Sequence, residues 1–229
     1  MMRIAETFSS LQGEGRLTGT PSFFIRVSGC HLRCGYCDTA YACEPEGGEL
    51  RSVESLLEEA AEGDCPHAVV TGGEPMLYPR TVALTQGLKR RGKHVTVETS
   101  GTLYLPVACD LMSISPKLSN SIPAPHFGPR RRRSHEERRF VPEVLARLMA
   151  EYDYQLKFVI AKPADCAEVV ECLKRLPPVD PDCVLLMPEG TEPDRLEVVG
   201  RWLEPYCRAR GFTFCPRRQI EWFGAGRGV

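Results

Sequence analysis

The sequence has no apolar run approaching the ~20 residues that a transmembrane helix needs. Its first residues, Met1-Met2-Arg3-Ile4-Ala5-Glu6, form no hydrophobic signal region, so a cytoplasmic location and no membrane partner are expected. Neither sign of charge is in excess: 29 Lys and Arg face 30 Asp and Glu, a formal charge of -1. That argues against a generic nucleic-acid or membrane-surface binder, which would carry a basic surplus. No internal repeat of fixed period is visible, which excludes a repeat architecture.

What is present is an ordinary globular composition, 42% apolar and 26% charged over 229 residues. A chain of this size buries roughly 70% or more of its unfolded surface, so it needs no disulfide or metal staple. One domain spanning 1–229 is the simplest organisation. Cysteine is the abnormal count, at eleven. An odd, high number without a secretion signal disfavours a disulfide framework and points to metal binding or redox chemistry.

Short apolar runs rich in β-branched residues recur along the chain: Phe23–Val27, Ala68–Thr71, Val95–Val97, Leu111–Ile114, Leu156–Ile160 and Val184–Met187. Continuous runs of this kind suit strands buried on both faces of a parallel sheet. Amphipathic stretches lie between them. Val53, Leu56, Leu57 and Ala60 fall on one helical face, and Leu145, Leu148, Met149 and Tyr152 repeat that spacing. Asp165, three residues before Glu168, reads as a capping box. Strands alternating with helices imply βαβ units. Six units fall short of eight, so the fold expected is α/β, an incomplete TIM-like barrel of about six parallel strands with outer helices. Residues 119–139 break the pattern, with three prolines and then six arginines. They read as an exposed, flexible insertion. An RNA-binding patch is the lesser reading, because no aromatics interleave the arginines.

Cys30-His31-Leu32-Arg33-Cys34-Gly35-Tyr36-Cys37 is a C-x3-C-x2-C cluster placed just after the Phe23–Val27 run. The C-terminal ends of strands are where α/β sheets put their active sites. A structural zinc site would need a fourth ligand, with His31 or Cys43 the candidates. An iron–sulfur cluster held by three cysteines instead leaves one iron open to a small molecule. Thr71-Gly72-Gly73-Glu74-Pro75 follows the next strand, and paired glycines let backbone approach a ligand.

These motifs resemble the radical S-adenosylmethionine (SAM) superfamily. Leu11-Gln12-Gly13-Glu14-Gly15, Phe24-Ile25-Arg26, Cys37-Asp38-Thr39, Glu98–Thr102 and Ser115-Pro116-Lys117 narrow the resemblance to its 7-carboxy-7-deazaguanine synthase family. The resemblance implies conversion of 6-carboxy-5,6,7,8-tetrahydropterin to 7-carboxy-7-deazaguanine with loss of ammonia, on the way to queuosine and other 7-deazapurines. It implies a [4Fe–4S] cluster, SAM, Mg²⁺, a homodimer, and an electron donor such as flavodoxin or ferredoxin. Cys30, Cys34 and Cys37 would then hold the cluster, and Thr39 would place its hydroxyl on Mg²⁺. Tyr36, Cys37, Asp38, Gly73, Ser115, Pro116 and Lys117 would contact SAM, with Met187-Pro188-Glu189-Gly190 a further candidate. Leu11, Gln12, Gly13, Glu14, Arg26 and Thr71 would contact the pterin.

Plainer roles stand beside these. Thr39 could cap a helix. Arg26, inside an apolar strand, needs a partner, either a substrate carboxylate or a buried Glu. Many relatives carry His near the C-terminus after a Pro-Arg step, whereas Pro216-Arg217-Arg218 is followed here by Gln219. The terminal carboxylate reaches substrate in some relatives, which makes Val229 a candidate. Two other functions remain open: a glycyl-radical activase, and a zinc-stabilised RNA-binding protein.

Overall fold

The computed structural model describes residues 1–228, and its sheet opens with an antiparallel hairpin. β1 (Met2–Leu11) pairs antiparallel with β2 (Pro21–Val27), and β3 (Glu49–Arg51) pairs with the free side of β1. Beyond β2 the ladder is parallel. It runs through β4 (His67–Gly72), β5 (His94–Thr99), β6 (Leu111–Ile114), β7 (Tyr154–Ile160), β8 (Val184–Pro188) and β9 (Thr213–Phe214). The sheet keeps two edges, β3 and β9, so it is an open, mostly parallel sheet and not a closed barrel. All six expected strands form. β1, β3 and β9 were not expected. β1 alternates buried Met2 and Ile4 with half-buried polar residues, so it shows no continuous apolar run.

Helices α1 (Val53–Glu62), α2 (Arg80–Arg90), α3 (Gly128–Arg138), α4 (Pro142–Glu151), α5 (Pro163–Leu173), α6 (Pro193–Arg210) and α7 (Arg218–Phe223) fill the connections. α1 starts where Ser52 Oγ accepts from the Ser55 backbone N–H at 2.9 Å, and it buries Val53, Leu56, Leu57 and Ala60 as its spacing predicts. The capping box at α5 sits three residues earlier than expected. Pro163, which lacks an N–H, opens the helix. Asp165 is therefore inside the first turn, and its Oδ2 accepts from the backbone N–H groups of Ala161 and Lys162 at 2.8 and 3.1 Å. Glu168 accepts instead from the Ser119 backbone at 2.9 Å. Residues 119–139 form two short turns and α3. Ser121 and His135 are buried there, and Arg130, Arg131, Arg133 and Arg138 are exposed. Among the described residues no helix is long and apolar enough to cross a membrane.

The two-residue period of the strands sorts side chains between two faces. Phe23, Ile25, Val27, Met112, Ile114, Leu156, Phe158 and Ile160 point to the helices and form the main core. The alternate residues, Phe24, Arg26, Thr71, Glu98, Ser113, Lys157 and Met187, line a cavity on the concave face.

Candidate active site

Strand register builds the polar floor of this cavity. Glu6 lies opposite Arg26, Arg26 opposite Thr71, Glu98 opposite Ser113, and Ser113 opposite Gln155. Arg26 Nε donates to Glu6 Oε1 at 2.7 Å, and the Tyr41 hydroxyl donates to the same oxygen at 2.5 Å. A half-buried Glu6, not a fully buried glutamate, is thus the partner of Arg26, and the guanidinium still borders the cavity. Thr71 Oγ1 donates to Glu98 Oε2 at 2.7 Å. Gln12 is buried and donates to Ser22 Oγ at 2.9 Å.

The cysteine loop leaves β2 and forms the next wall of the cavity, which encloses about 260 Å³. Cys30, Cys34 and Cys37 all line it, with no disulfide among the described cysteines. Cys43, buried, brings its Sγ to 3.7 Å from Cys37 Sγ. That hydrogen bond lowers the Cys37 thiol to about 6 against the effect of burial. Burial pushes the Cys34 thiol up to about 11. Tyr36, Asp38 and Thr39 line the same wall. The Thr39 side chain makes no helix-capping hydrogen bond; its hydroxyl is 3.8 Å from Cys37 Sγ.

The glycine-rich turn works first as a packing device. A Cβ on Gly73 would meet the Gly29 carbonyl oxygen at 2.1 Å, and one on Gly72, whose φ is 129°, would meet Val27 backbone at 2.3 Å. Only glycines let this turn lie against the root of the cysteine loop. Glu74 is buried and accepts from Thr99 Oγ1 (2.7 Å), Ser100 N (2.9 Å), Ser100 Oγ (2.5 Å) and Met76 N (3.1 Å). It ties the ends of β4 and β5 together. Gly73 itself faces the cavity.

The far wall comes from distant parts of the chain. Ser115, Lys117, Met187, Glu189 and Gly190 line it; Pro116 and Pro188 are buried but do not. Val229 lies outside the described residues. Glu14 is the hub of a buried charge network. It accepts from Lys157 Nζ at 2.5 Å, Arg217 Nε at 3.1 Å and Gln219 Nε2 at 2.6 Å. Arg217 also donates to Asp38 and to the Gly190 carbonyl, the latter at 2.5 Å. Burial alone would raise the Glu14 carboxyl, but Lys157 and Arg217 override it and hold it below the usual carboxylate range. Burial alone would lower Lys157, but Glu14 and Glu98 raise it. Leu11, Gly13 and Glu14 reach the cavity because α7 packs on their loop: Arg218 N donates to Gly13 O at 3.0 Å. A Cβ on Gly13 would lie 2.2 Å from Gln219 Oε1.

Glu6, Glu98, Lys157 and Arg217 carry no role in the sequence reading, yet each contacts a residue that does. Lys157, like Arg26, is a cation within an apolar run and needs a buried partner.

The family description "Radical SAM superfamily" matches residues 24–176. Fold, cysteine loop and match together define a radical SAM protein. A 7-carboxy-7-deazaguanine synthase of Rhodopirellula baltica is 43% identical over 227 residues, covering 99% of this chain and 88% of that one. Its counterpart in Halobacterium salinarum is 37% identical, covering 95% and 88%. The crystal structure of QueE from Escherichia coli aligns with a TM-score of 0.71 at 25% identity, covering 95% and 94%. The chain belongs to the 7-carboxy-7-deazaguanine synthase family.

Membership implies a [4Fe–4S] cluster and SAM. The donor set fits. Cluster ligands bind separate irons, so their sulfurs need not meet at one point. Cys30, Cys34 and Cys37 all border the one cavity, where a cluster would sit.

Proposed function

We propose that this chain converts 6-carboxy-5,6,7,8-tetrahydropterin to 7-carboxy-7-deazaguanine with loss of ammonia, as a step toward queuosine or another 7-deazapurine. The observation that carries the proposal is the cavity itself. Its cysteine wall, its glycine-rich turn and its polar strand floor all face one space. Cys30, Cys34 and Cys37 would hold the cluster. When bound, cluster and SAM would supply one-electron chemistry able to remove hydrogen from an unactivated carbon. Tyr36, Asp38, Gly73, Ser115 and Lys117 border the space beside those cysteines and would hold SAM, with Met187, Glu189 and Gly190 closing its far side.

The chain's own residues then position the substrate. Arg26 binds Glu6 through Nε, which leaves its terminal nitrogens to grip a carboxylate in bidentate fashion. Thr71 and Glu98, already hydrogen-bonded, offer fixed polar atoms beside it. Leu11, Gln12, Gly13 and Glu14 would read the pterin edge. The Lys157–Glu14–Arg217 network holds that loop in place before substrate enters, which limits the ordering cost of binding. Thr39, with its hydroxyl unused for capping, would supply a hard oxygen to Mg²⁺. One domain over 1–229, a homodimer and reduction by flavodoxin or ferredoxin complete the proposal.

The test is anaerobic incubation of the reconstituted protein with dithionite, SAM, Mg²⁺ and the carboxytetrahydropterin. Product mass and chromophore identify 7-carboxy-7-deazaguanine, and ammonia should appear in equal amount. If 5′-deoxyadenosine accumulates with no deazaguanine, the substrate is wrong and the activase reading gains.

A further inference from the structure

Helix α3 is the helix richest in arginine, with four in succession from Arg130 to Arg133. Four surface arginines on other helices stand one turn from a glutamate: Arg147 with Glu151, Arg201 with Glu197, Arg208 with Glu204, Arg218 with Glu221. Between residues 130 and 139 six arginines meet only two glutamates. Glu137 pairs with Arg133 and Glu136 with Arg139. Arg130, Arg131 and Arg138 are exposed. Among the described residues, none of the three has a carboxylate within ion-pairing distance. In a chain of net charge -1 this is a concentrated basic face.

Its position is specific. Arg131, His135 and Arg138 fall on one stripe of the helix. His135 is buried, and its Nδ1 accepts from the backbone N–H of Arg33, inside the cysteine loop, at 3.3 Å. Its Nε2 is 2.9 Å from Ser121 Oγ, whose hydroxyl donates to the Leu118 carbonyl at 2.6 Å; Nε2 therefore carries the proton. The Ser121 carbonyl accepts from Gly35 N–H at 3.0 Å. A Cβ on Gly35 would lie 2.7 Å from the Ile122 carbonyl oxygen. The basic helix is thus fastened directly to the loop bearing the three cysteines. No α3 residue lines the cavity.

The geometry points to α3 as the docking surface for a small acidic one-electron carrier protein that reduces the cluster held by Cys30, Cys34 and Cys37. The inference rests on the cluster reading above. The carrier loses one electron, the cluster gains it, and no proton or group moves. Charge complementarity favours this occupant. A basic face steers an acidic protein and raises its encounter rate, and here it steers it to the cysteine loop. RNA would gain nothing from that adjacency, and α3 itself contributes no aromatic side chain on which a base could stack.

The test compares parent holoenzyme with the triple variants R130E/R131E/R138E and R130Q/R131Q/R138Q. Flavodoxin binding is measured by calorimetry, and cluster reduction by reduced flavodoxin is followed by absorbance at low and high ionic strength. Charge reversal should slow flavodoxin-driven reduction about tenfold or more at low salt, with the glutamine variant between. Reduction by dithionite and iron content should match the parent. High salt should bring the parent down toward the variants. Parental binding and reduction rate in the reversal variant would overturn the inference. So would RNA retained by the parent and lost from that variant while flavodoxin kinetics stay fixed. If reversal costs iron, the glutamine variant decides. If the parent holds no cluster, the functional proposal fails, while flavodoxin binding by calorimetry still decides the docking.

Discussion

Glu14→Gln tests whether the charge network shapes the cavity. The carboxylate takes three donors, from Lys157, Arg217 and Gln219. Its side chain is 16% exposed, and those of Lys157 and Arg217 are 7% and 6% exposed. Burial this deep leaves little solvent screening. Removing one partner of a buried ion pair costs about 3–5 kcal/mol, because the other charge stays desolvated. Here the low end applies. Lys157 keeps Glu98 at 3.4 Å, and Arg217 keeps Asp38 and the Gly190 carbonyl. About 3 kcal/mol is therefore expected at neutral pH. With a urea slope of about 3 kcal/mol per M, the unfolding midpoint should fall by about 1 M. Acid supplies the second readout. The folded carboxyl is held below its ordinary 4.5. Its contribution is complete above that value and is lost as pH falls toward the folded one. The gap between parent and variant should shrink below pH 4.5, by at most about 1.4 kcal/mol per pH unit. A gap under about 1 kcal/mol at neutral pH, below the cost of an unpaired buried charge, would refute the reasoning. So would a gap that acid leaves unchanged.

Three further outcomes follow from the same geometry. Cys34→Ala should lose bound iron and visible absorbance after anaerobic reconstitution while its thermal midpoint stays near the parent's, since the main core lies on the other face of the sheet. Gly73→Ala should cost about 1–3 kcal/mol in urea and also lower iron content, because its Cβ would strike the Gly29 carbonyl at 2.1 Å and push on the cysteine loop. Arg26→Lys should weaken carboxytetrahydropterin binding by about two orders of magnitude in a titration, because lysine cannot make a bidentate contact to a carboxylate.

The strands that could be read from sequence were those buried on both faces, where apolar runs are continuous. β1 escaped because polar residues interrupt its apolar ones, and the edge strands β3 and β9 because they have only three and two residues. The cysteine loop was legible because its spacing is local. The charge network was not. Glu14 and Lys157 are 143 positions apart, and Glu14 and Arg217 are 203 apart, and no local pattern pairs them. The capping box was misplaced by three residues because the missing N–H of Pro163, not the acidic pair, fixes where α5 begins.

The central claim is that one cavity joins a cluster wall to a substrate wall. Calorimetric titration of the reconstituted protein, separately with SAM and with carboxytetrahydropterin, tests it most directly through two variants. Arg26→Ala should lose pterin binding and keep SAM binding. Cys34→Ala should lose SAM binding. Pterin binding at parental affinity in Arg26→Ala, or SAM binding at parental affinity in iron-free Cys34→Ala, would contradict the account.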